Sequence, residues 1–453
     1  MALTIQILIV LACLVMGTRY GGMGLGLISG FGLLILVFVF HLKPGDPPID
    51  VMMTILAVIG CASTLQTAGG LDVMMRYAER ILRAHPKQLT ILAPITTWFL
   101  TLLCGTGHVV YTMFPIIEDI ALEKNIRPER PMAVSSVAAQ VGITASPVSV
   151  ATVSLATILA TNSAAHGGPT YSIPQILSVS IPASLCGVVL AALWSLRRGK
   201  DLDQDPEFQA KIADPEKRAY IYGKADGTTL LDRDMPKEAF RAMWIFFTAI
   251  AIVVILGAFP DLRPSFAAAN GSSKPLSMTL TIQMFMLIAG ALILITCKVK
   301  PNDIPNSAVF KAGMVAIFSV FGVAWMAETF FHAHLAEMQK ELTTMVQAHV
   351  WTFAIALFLV SKLVNSQAAA LTAMAPIGLK IGVDPVTLIG FFGASYGYFF
   401  LPTYPSDLAC IGFDRTGTTR IGKYILNHSF MIPGFICVIT GCLVGTALAR
   451  ILL

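Results

Sequence analysis

The sequence is poor in charged residues: Asp, Glu, Lys and Arg make up 13% of its 453 residues, whereas 55% are hydrophobic. A soluble domain has too little interior to bury so large an apolar fraction. Apolar runs long enough to cross a bilayer recur along the whole chain, for example over residues 25–42, 176–196, 276–297 and 430–448. The composition therefore predicts an all-α membrane protein that crosses the bilayer many times.

Several patterns that mark other classes of protein are missing. The eight cysteines contain no Cys-x-x-Cys pair, which favours buried packing residues over a metal or redox site. The absence of His-Glu-x-x-His and of Gly-Lys-Ser/Thr motifs argues against a metalloprotease and an ATP-driven pump. No metal and no cofactor is predicted. The net charge of +5 is scattered, which argues against a nucleic-acid partner.

Two features at the start and near the end of the chain have competing interpretations. The first apolar run, residues 3–17, has no basic residue before it, which predicts a retained helix rather than a cleaved signal. Residues 393–397 match the Gly-x-Ser-x-Gly pattern of many hydrolases. That pattern needs a strand-to-helix turn and a positioned base, whereas this segment lies in an apolar run with no His or Asp nearby. We therefore predict packing rather than an enzyme.

Features of the first half of the chain recur in the same order about 260 residues later. Small polar residues interrupt an apolar segment at 104–108 and again at 365–367, and prolines then break a helix at Pro147 and at Pro402 and Pro405. This order predicts two inverted-topology repeats, each with a re-entrant helical hairpin and a broken transmembrane helix. The repeats are expected over 1–196 (hairpin about 89–121, broken helix about 132–160) and 242–453 (hairpin about 350–380, broken helix about 385–412).

The distribution of charge predicts an orientation. Residues 197–241 carry ten basic and ten acidic residues, which favours a solvated cytoplasmic linker with room for a short helix over 207–212. With both termini in the periplasm and two re-entrant hairpins, fourteen Lys or Arg fall in short cytoplasmic loops and six in periplasmic ones. This bias agrees with the positive-inside rule. We therefore expect both termini to face the periplasm.

The two hairpin tips and the two breaks are expected to meet at one cavity. Irregular backbone at membrane depth survives only where it is buried in protein or lines such a cavity. Helix ends there expose N–H groups and a partial positive charge, which bind a carboxylate without a buried cation. The predicted substrate-binding residues are Gly105, Thr106, Gly107, Ser146, Ser149, Asn365, Ser366, Gln367, Thr403 and Ser406.

Three ionisable residues lie beside these polar segments and are predicted to carry charge or coupling functions. Lys362 is a functional candidate because an intramembrane Lys is costly, although it could also snorkel or pair with an acid. Asp407 could take a proton, bind a cation or pair with Lys362. His108 could titrate near neutral pH or make a structural hydrogen bond. Three further acids are either proton sites or simply lie at helix ends: Glu118, Asp119 and Glu328.

Long motifs in fixed order resemble one known family over the full chain. They are CGTGHVVYT at 104–112, NIRPERPMA at 125–133, ASPVSVA at 145–151, DLRPSF at 261–266, SKLVNSQAAAL at 361–371 and LPTYPSDLA at 401–409. This set resembles the anaerobic C4-dicarboxylate (Dcu) transporters of Gram-negative bacteria.

The resemblance implies an antiporter of the inner membrane that exchanges fumarate, malate or aspartate against succinate during anaerobic growth. The paired hairpins are also similar to those of the wider ion-transporter superfamily, which implies an elevator-type carrier and a homodimer. Carriers of this kind can also contact a membrane sensor. The alternatives are a proton- or sodium-coupled symporter of another small organic anion, or a channel. A channel should show rings of like charge or repeated filter loops, whereas only two unlike tips are present.

Overall fold

The computed structural model describes residues 2–20, 23–47, 49–166, 168–223, 230–231, 234–267, 273–402, 404–422 and 426–453. Within these residues, eight helical stretches are long and apolar enough to cross a bilayer. They are Ile49–Thr67, Pro86–Cys104, Glu129–Ala165, Ile173–Ser195, Lys237–Gly257, Thr279–Thr296, Ala308–His334 and Met431–Leu452. The prediction of a helical protein that crosses the membrane many times is confirmed.

Helices in the first half of the chain are numbered in order. They are α1 (Ala2–Tyr20), α2 (Gly24–Leu34), α3 (Ile49–Thr67), α4 (Gly70–Ala84), α5 (Leu89–Cys104), α6 (Val110–Glu123), α7 (Glu129–Val141), α8 (Val150–His166) and α9 (Ile173–Ser195). Helices α5 and α6 occupy the first expected hairpin, and α7 and α8 occupy the first expected broken helix.

The remaining helices begin with two short ones in the 197–241 segment, and one small β-hairpin follows in the second half. The helices are α10 (Pro206–Ile212), α11 (Pro215–Tyr222), α12 (Lys237–Ala258), α13 (Met278–Thr296), α14 (Ala308–Ala348), α15 (Trp351–Val364), α16 (Gln367–Lys380), α17 (Pro385–Gly390), α18 (Pro405–Phe413) and α19 (Met431–Leu452). Strands β1 (Ser265–Ala267) and β2 (Ser273–Pro275) pair antiparallel, with Phe266 opposite Lys274.

Large apolar side chains cover much of the outer surface. Phe38, Ile295 and Leu443 are each about 70% exposed, at 73%, 69% and 68%. Exposed apolar residues on several long helices are expected where lipid rather than water is the solvent. The helix exteriors therefore agree with the assignment of these segments to the membrane.

A glycine separates α3 from α4, whereas α14 continues without a break. Gly69 adopts a left-handed conformation (φ 79°) and separates α3 from α4. In the second half, residues 314–346 have no Gly-Gly pair and lie within the single 41-residue helix α14. The break in the first half therefore depends on a residue without a Cβ, which tolerates positive φ.

Close helix packing depends on glycine at one interface between α2 and α14. A methyl group added to Gly26 would lie 1.9 Å from the carbonyl oxygen of Phe318, and one added to Gly322 would lie 2.0 Å from that of Gly26. Small residues allow this backbone approach between membrane helices. Gly30, four residues after Gly26 on α2, has open space around it, so the close approach is at Gly26.

Two short helices lie in the polar 197–241 segment. Asp205 and Asp214 each accept a hydrogen bond from a backbone N–H of the following helix, and each is followed by proline at the first helical position. This is the usual arrangement of an N-cap followed by proline. Asp214 and Pro215 therefore begin helix α11.

The 197–241 segment packs against the first turn of α7, the loop before it and the loop after α18. Arg127 contacts Asp205 and Arg130 contacts Asp201, each at 2.6 Å, while Lys211 donates to the carbonyl oxygen of Thr416 at 2.8 Å. Three apolar side chains of the segment form a small buried cluster with Leu122 of α6: Leu202, Phe208 and Ile221. This part of the segment is therefore attached to the helical body.

Candidate functional site

The turn between α5 and α6 requires glycine. Gly105 is left-handed (φ 73°, ψ 8°), and a methyl group added there would lie 2.9 Å from the carbonyl oxygen of Val148. Thr106 follows in an extended conformation, and its Oγ1 accepts a hydrogen bond from the backbone N–H of His108 at 3.3 Å. His108 Nδ1 lies 2.7 Å from the same hydroxyl. Thr106 therefore fixes the start of the second helix of this hairpin.

The turn between α15 and α16 has the same local geometry from different residues. Asn365 is left-handed (φ 49°, ψ 35°), a conformation that Asn adopts more readily than most residues. Ser366 is extended and accepts a hydrogen bond from the N–H of Ala369 at 3.3 Å, as an N-cap. Each turn thus combines a left-handed residue, an extended hydroxyl residue and the start of a helix.

Two irregular backbone segments accompany these turns. Helix α7 ends at Val141, a tight turn covers Gly142–Ala145, and α8 begins at Val150. In the second half, a tight turn at Phe391–Ser395 follows α17, and helical structure resumes only with α18. Helix ends in both segments leave backbone groups without partners in the helix, and such ends lie at ligand sites in many carriers.

A cavity of about 430 Å³ is shared by both turns and both irregular segments. This volume falls within the range of about 300–1,000 Å³ typical of small-molecule sites. Polar and small residues of the cavity wall include Gly105, Thr106, Gly107, His108, Gln140, Asn365, Ser366, Gln367, Tyr398 and Tyr404. Residues far apart in sequence therefore surround one space.

The wall described for this cavity includes His108 but no Lys, Arg, Asp or Glu. Positive potential at the wall must then come mainly from helix N-termini, each worth roughly half an elementary charge. Two such ends, at α6 and α16, would supply roughly one positive charge between them. The cavity is therefore suited to an anion that is held by backbone N–H groups and neutral side chains.

Six of the ten predicted substrate-binding residues line this cavity, namely the three of the first turn and the three of the second. Ser146, Ser149 and Ser406 are buried beside it and have protein partners. Ser146 Oγ accepts from the N–H of Val148, and Ser149 Oγ accepts from the N–H of Thr152 as a cap of α8. Thr403 lies outside the described residues.

Gln140 and Tyr398 are cavity residues that the sequence reasoning missed. The Tyr398 hydroxyl donates to Gln140 Oε1 at 2.8 Å, and Gln367 Nε2 donates to the carbonyl oxygen of Gln140 at 2.7 Å. A methyl group added to Gly107 would lie 2.5 Å from Gln140 Nε2. The sequence signal for Gln140 was its position inside the apolar helix α7. An amide is costly to bury without hydrogen-bond partners, so a buried glutamine indicates that such partners exist.

Asp407 and Lys362 lie behind the cavity wall rather than on it. Asp407 is buried and accepts a hydrogen bond from Ser136 Oγ at 2.7 Å, whereas its Oδ2 has no hydrogen-bond partner among the described residues. Lys362 is half-buried, contacts the tip residue Asn365, and interacts electrostatically with Asp407. Lys362 is therefore placed to act on the cavity through Asn365, which lines it, and Asp407 through its electrostatic interaction with Lys362.

The other candidate acids have basic partners. Arg415 contacts Glu118 at 2.9 Å and Asp119 at 2.5 Å, and Lys380 contacts Glu328 at 2.8 Å. These contacts favour structural functions at helix ends over proton sites.

A second polar cluster lies where the 197–241 segment begins. Glu129 is buried and contacts both Arg127, at 2.8 Å, and Arg198, at 2.9 Å. Burial lowers the pKa of Arg198, Glu129 opposes this change, and the neighbouring guanidiniums of Arg127 and Arg420 add to it. The arginines here have carboxylate partners, and Arg198 also donates to the carbonyl oxygen of Ser429 at 2.7 Å, so the cluster joins the start of the 197–241 segment to loops of both halves.

Membrane helices with irregular turns around a shared cavity are typical of membrane transporters, and comparisons with known proteins agree. Residues 2–453 match the family described as anaerobic C4-dicarboxylate membrane transporter. The chain belongs to this family. Its members are transporters rather than enzymes, which confirms the prediction that this chain is not an enzyme.

Two relatives match almost end to end. The chain is 55% identical over 445 residues to the anaerobic C4-dicarboxylate transporter DcuB of Escherichia coli O157:H7, covering 98% of each chain. It is 36% identical over 451 residues to the C4-dicarboxylate transporter DcuA of Wolinella succinogenes, covering 100% of each. The predicted resemblance to the Dcu family is confirmed.

A solved structure shares the fold at low sequence identity. MtrF of Neisseria gonorrhoeae, described as illuminating a class of antimetabolite efflux pumps, aligns with a TM-score of 0.56 and 13% identity. The alignment covers 93% of this chain and 85% of MtrF. At this identity the likeness supports the helical membrane fold alone.

Proposed function

We propose that this transporter exchanges C4-dicarboxylates, with fumarate, malate, aspartate and succinate as substrates, across the bacterial inner membrane. The observation that carries the proposal is the cavity shared by the α5–α6 and α15–α16 turns. Each turn presents the start of a helix to this space, and two such starts match the two carboxylates of a C4 dianion. Family membership supports the substrate class.

We propose further that the chain consists of two inverted repeats, 1–196 and 242–453, joined by a cytoplasmic linker. The matching geometry of Gly105-Thr106 and Asn365-Ser366 supports this division, since each pair joins two helices and the two pairs are 260 positions apart in the chain. Inversion would turn the two tips toward each other near the bilayer midplane. An elevator movement would then carry the cavity between the two sides of the membrane.

The experiment that tests exchange is counterflow in proteoliposomes. Vesicles preloaded with fumarate should take up labelled succinate faster than empty vesicles. The reason is that the binding site of an exchanger returns to the outside faster with internal fumarate bound than when it is empty. Equal uptake into both would contradict exchange. The second candidate, a proton- or sodium-coupled symporter of another small organic anion, should show no succinate–fumarate exchange and should instead accumulate its own substrate in empty vesicles when a proton or sodium gradient is imposed.

A further inference from the structure

The ammonium group of Lys362 is surrounded by oxygen atoms from two separate segments. Lys362 Nζ lies 3.3 Å from Asn365 Oδ1, 3.3 Å from the carbonyl oxygen of Tyr398 and 3.1 Å from that of Leu401. The first oxygen belongs to the α15–α16 tip and the other two to the irregular stretch before α18. A single positive charge therefore holds the tip against the broken helix.

These oxygens are of the kind that bind small cations in carriers. Carbonyl groups of unwound segments and the C-terminal ends of half-helices commonly coordinate coupling ions at membrane depth. Lys362 lies in the last turn of α15, where the helix dipole also favours a cation. The surroundings of Nζ thus combine amide and carbonyl oxygens with a negative helix end.

We propose that the Lys362 ammonium occupies a cation site of the carrier, so that a charge tethered to the chain does what a solution cation would otherwise do. The proposal deepens the proposed function and rests on it. Lys362 is then a positioning residue: it fixes Asn365, which lines the cavity, and it adds positive charge behind the two helix N-termini. Dicarboxylate exchange by the wild-type protein is expected to need no sodium.

Removal of the tethered charge should leave a site that small cations can fill. In Lys362→Ala, succinate–fumarate exchange should fall by roughly tenfold or more, because a charged hydrogen-bonding group is lost. Ammonium or methylammonium, at equal concentration on both sides and constant ionic strength, should restore much of it, whereas tetramethylammonium is too large to do so. Lys380→Ala removes another lysine of the same hairpin, paired with Glu328, and should show no cation response.

A binding readout makes the test independent of substrate. Ammonium should raise the thermal midpoint of detergent-purified Lys362→Ala, but not that of the wild-type protein or of Lys380→Ala. The proposal is overturned if no small cation changes exchange or stability of a variant that reaches the membrane at wild-type levels. Sodium-dependent exchange by the wild-type protein would also overturn it.

A second variant covers the case in which Lys362→Ala does not accumulate. Lys362→Gln keeps amide donors for the same oxygens but carries no charge, so it should insert normally and exchange poorly. Wild-type exchange by Lys362→Gln would show that the charge is dispensable. Failure of the wild-type protein to exchange dicarboxylates would instead contradict the proposed function, and the thermal response of Lys362→Ala would still report on the cation site.

Discussion

Tyr398 and Gln140 are 258 positions apart in the chain and joined by a buried hydrogen bond of 2.8 Å between the Tyr398 hydroxyl and Gln140 Oε1. Both residues line the cavity, one from the irregular stretch before α18 and the other from α7. Gln367 from the second hairpin donates to the same glutamine's backbone carbonyl. Gln140 is therefore the point at which three separate elements of the cavity wall are fixed to one another.

Replacement of Tyr398 by Phe tests this relationship. The ring would keep its packing, but Gln140 Oε1 would lose its donor, and a buried unpaired acceptor costs about 1–3 kcal/mol. We expect succinate exchange in proteoliposomes to fall by about tenfold, with normal membrane insertion. Tyr220→Phe removes a hydroxyl from a tyrosine that is 66% exposed and should leave exchange unchanged. If Tyr398→Phe exchanged succinate at the same rate as Tyr220→Phe, the hydrogen bond between Tyr398 and Gln140 would not be needed for transport.

A Cβ at Gly105 should disrupt the first tip for two reasons. The left-handed backbone (φ 73°) is strained for alanine, and the added methyl would lie 2.9 Å from the Val148 carbonyl oxygen. We expect Gly105→Ala to reduce exchange by at least about tenfold, corresponding to about 1–2 kcal/mol of strain in the tip. Gly30→Ala is the matched control, because its Cβ would meet open space at negative φ. Equal activity of the two variants would argue against a fixed tip conformation.

The sequence was sufficient to locate the two tips. A left-handed residue followed by a hydroxyl residue interrupts an otherwise apolar helix, and both features are local, so Gly105-Thr106 and Asn365-Ser366 are recognisable without a structure. The polytopic helical class follows in the same way from hydropathy alone.

Partners that are distant in sequence could not be predicted in this way. Nothing near Gln140 in the chain indicates that it pairs with Tyr398, because that contact depends on how the helices pack. Ser146 and Ser149 were assigned to the substrate for their residue type, whereas their hydroxyls bond to nearby backbone groups. Short-range capping competes with ligand binding for such hydroxyls, and only the structure shows which partner each one has.

The Arg127–Glu129 contact is predicted to stabilise the fold. Arg127→Ala would leave the buried Glu129 with one arginine fewer and would also release Asp205. Loss of one partner of a buried ion pair typically costs about 3–5 kcal/mol, so a clearly lower thermal midpoint of the purified protein is expected. Arg420→Ala breaks a surface pair with Glu207, in which the arginine side chain is 54% exposed, and should cost at most about 1 kcal/mol. Similar midpoints for the two variants would contradict a structural role for this cluster.

Orientation can be tested with reporter fusions. The fourteen-to-six bias of basic residues predicts periplasmic termini and a cytoplasmic 197–241 segment. A phosphatase that folds only in the periplasm should be active after Leu453 and inactive when inserted in that segment, and a fluorescent protein should show the opposite pattern. Cytoplasmic reporter activity at the intact C-terminus would rule out this orientation or the crossing count behind it.

Asp407 is predicted to act in transport through its charge. The side chain is 1% exposed, Ser136 Oγ donates to its Oδ1, and its Oδ2 has no hydrogen-bond partner among the described residues. A carboxylate buried with so few hydrogen-bond partners lowers the stability of the folded protein. Its presence at this position therefore favours a function in transport. Asp407→Asn keeps the shape and an oxygen for Ser136 but removes the charge.

Succinate exchange by Asp407→Asn is therefore expected to fall by at least about tenfold and to become flat between about pH 5 and pH 8, the interval in which perturbed carboxylates and histidines titrate. The measurement is the initial rate of exchange at equal internal and external pH, normalised to the amount of protein in the vesicles. Asp203→Asn makes the same chemical change at an exposed position of the 197–241 segment and should follow the wild-type profile. If Asp407→Asn also followed the wild-type pH profile, the charge of Asp407 would not be needed for transport. Substrate would then be bound by helix ends and neutral side chains, with Lys362 as the remaining charged residue.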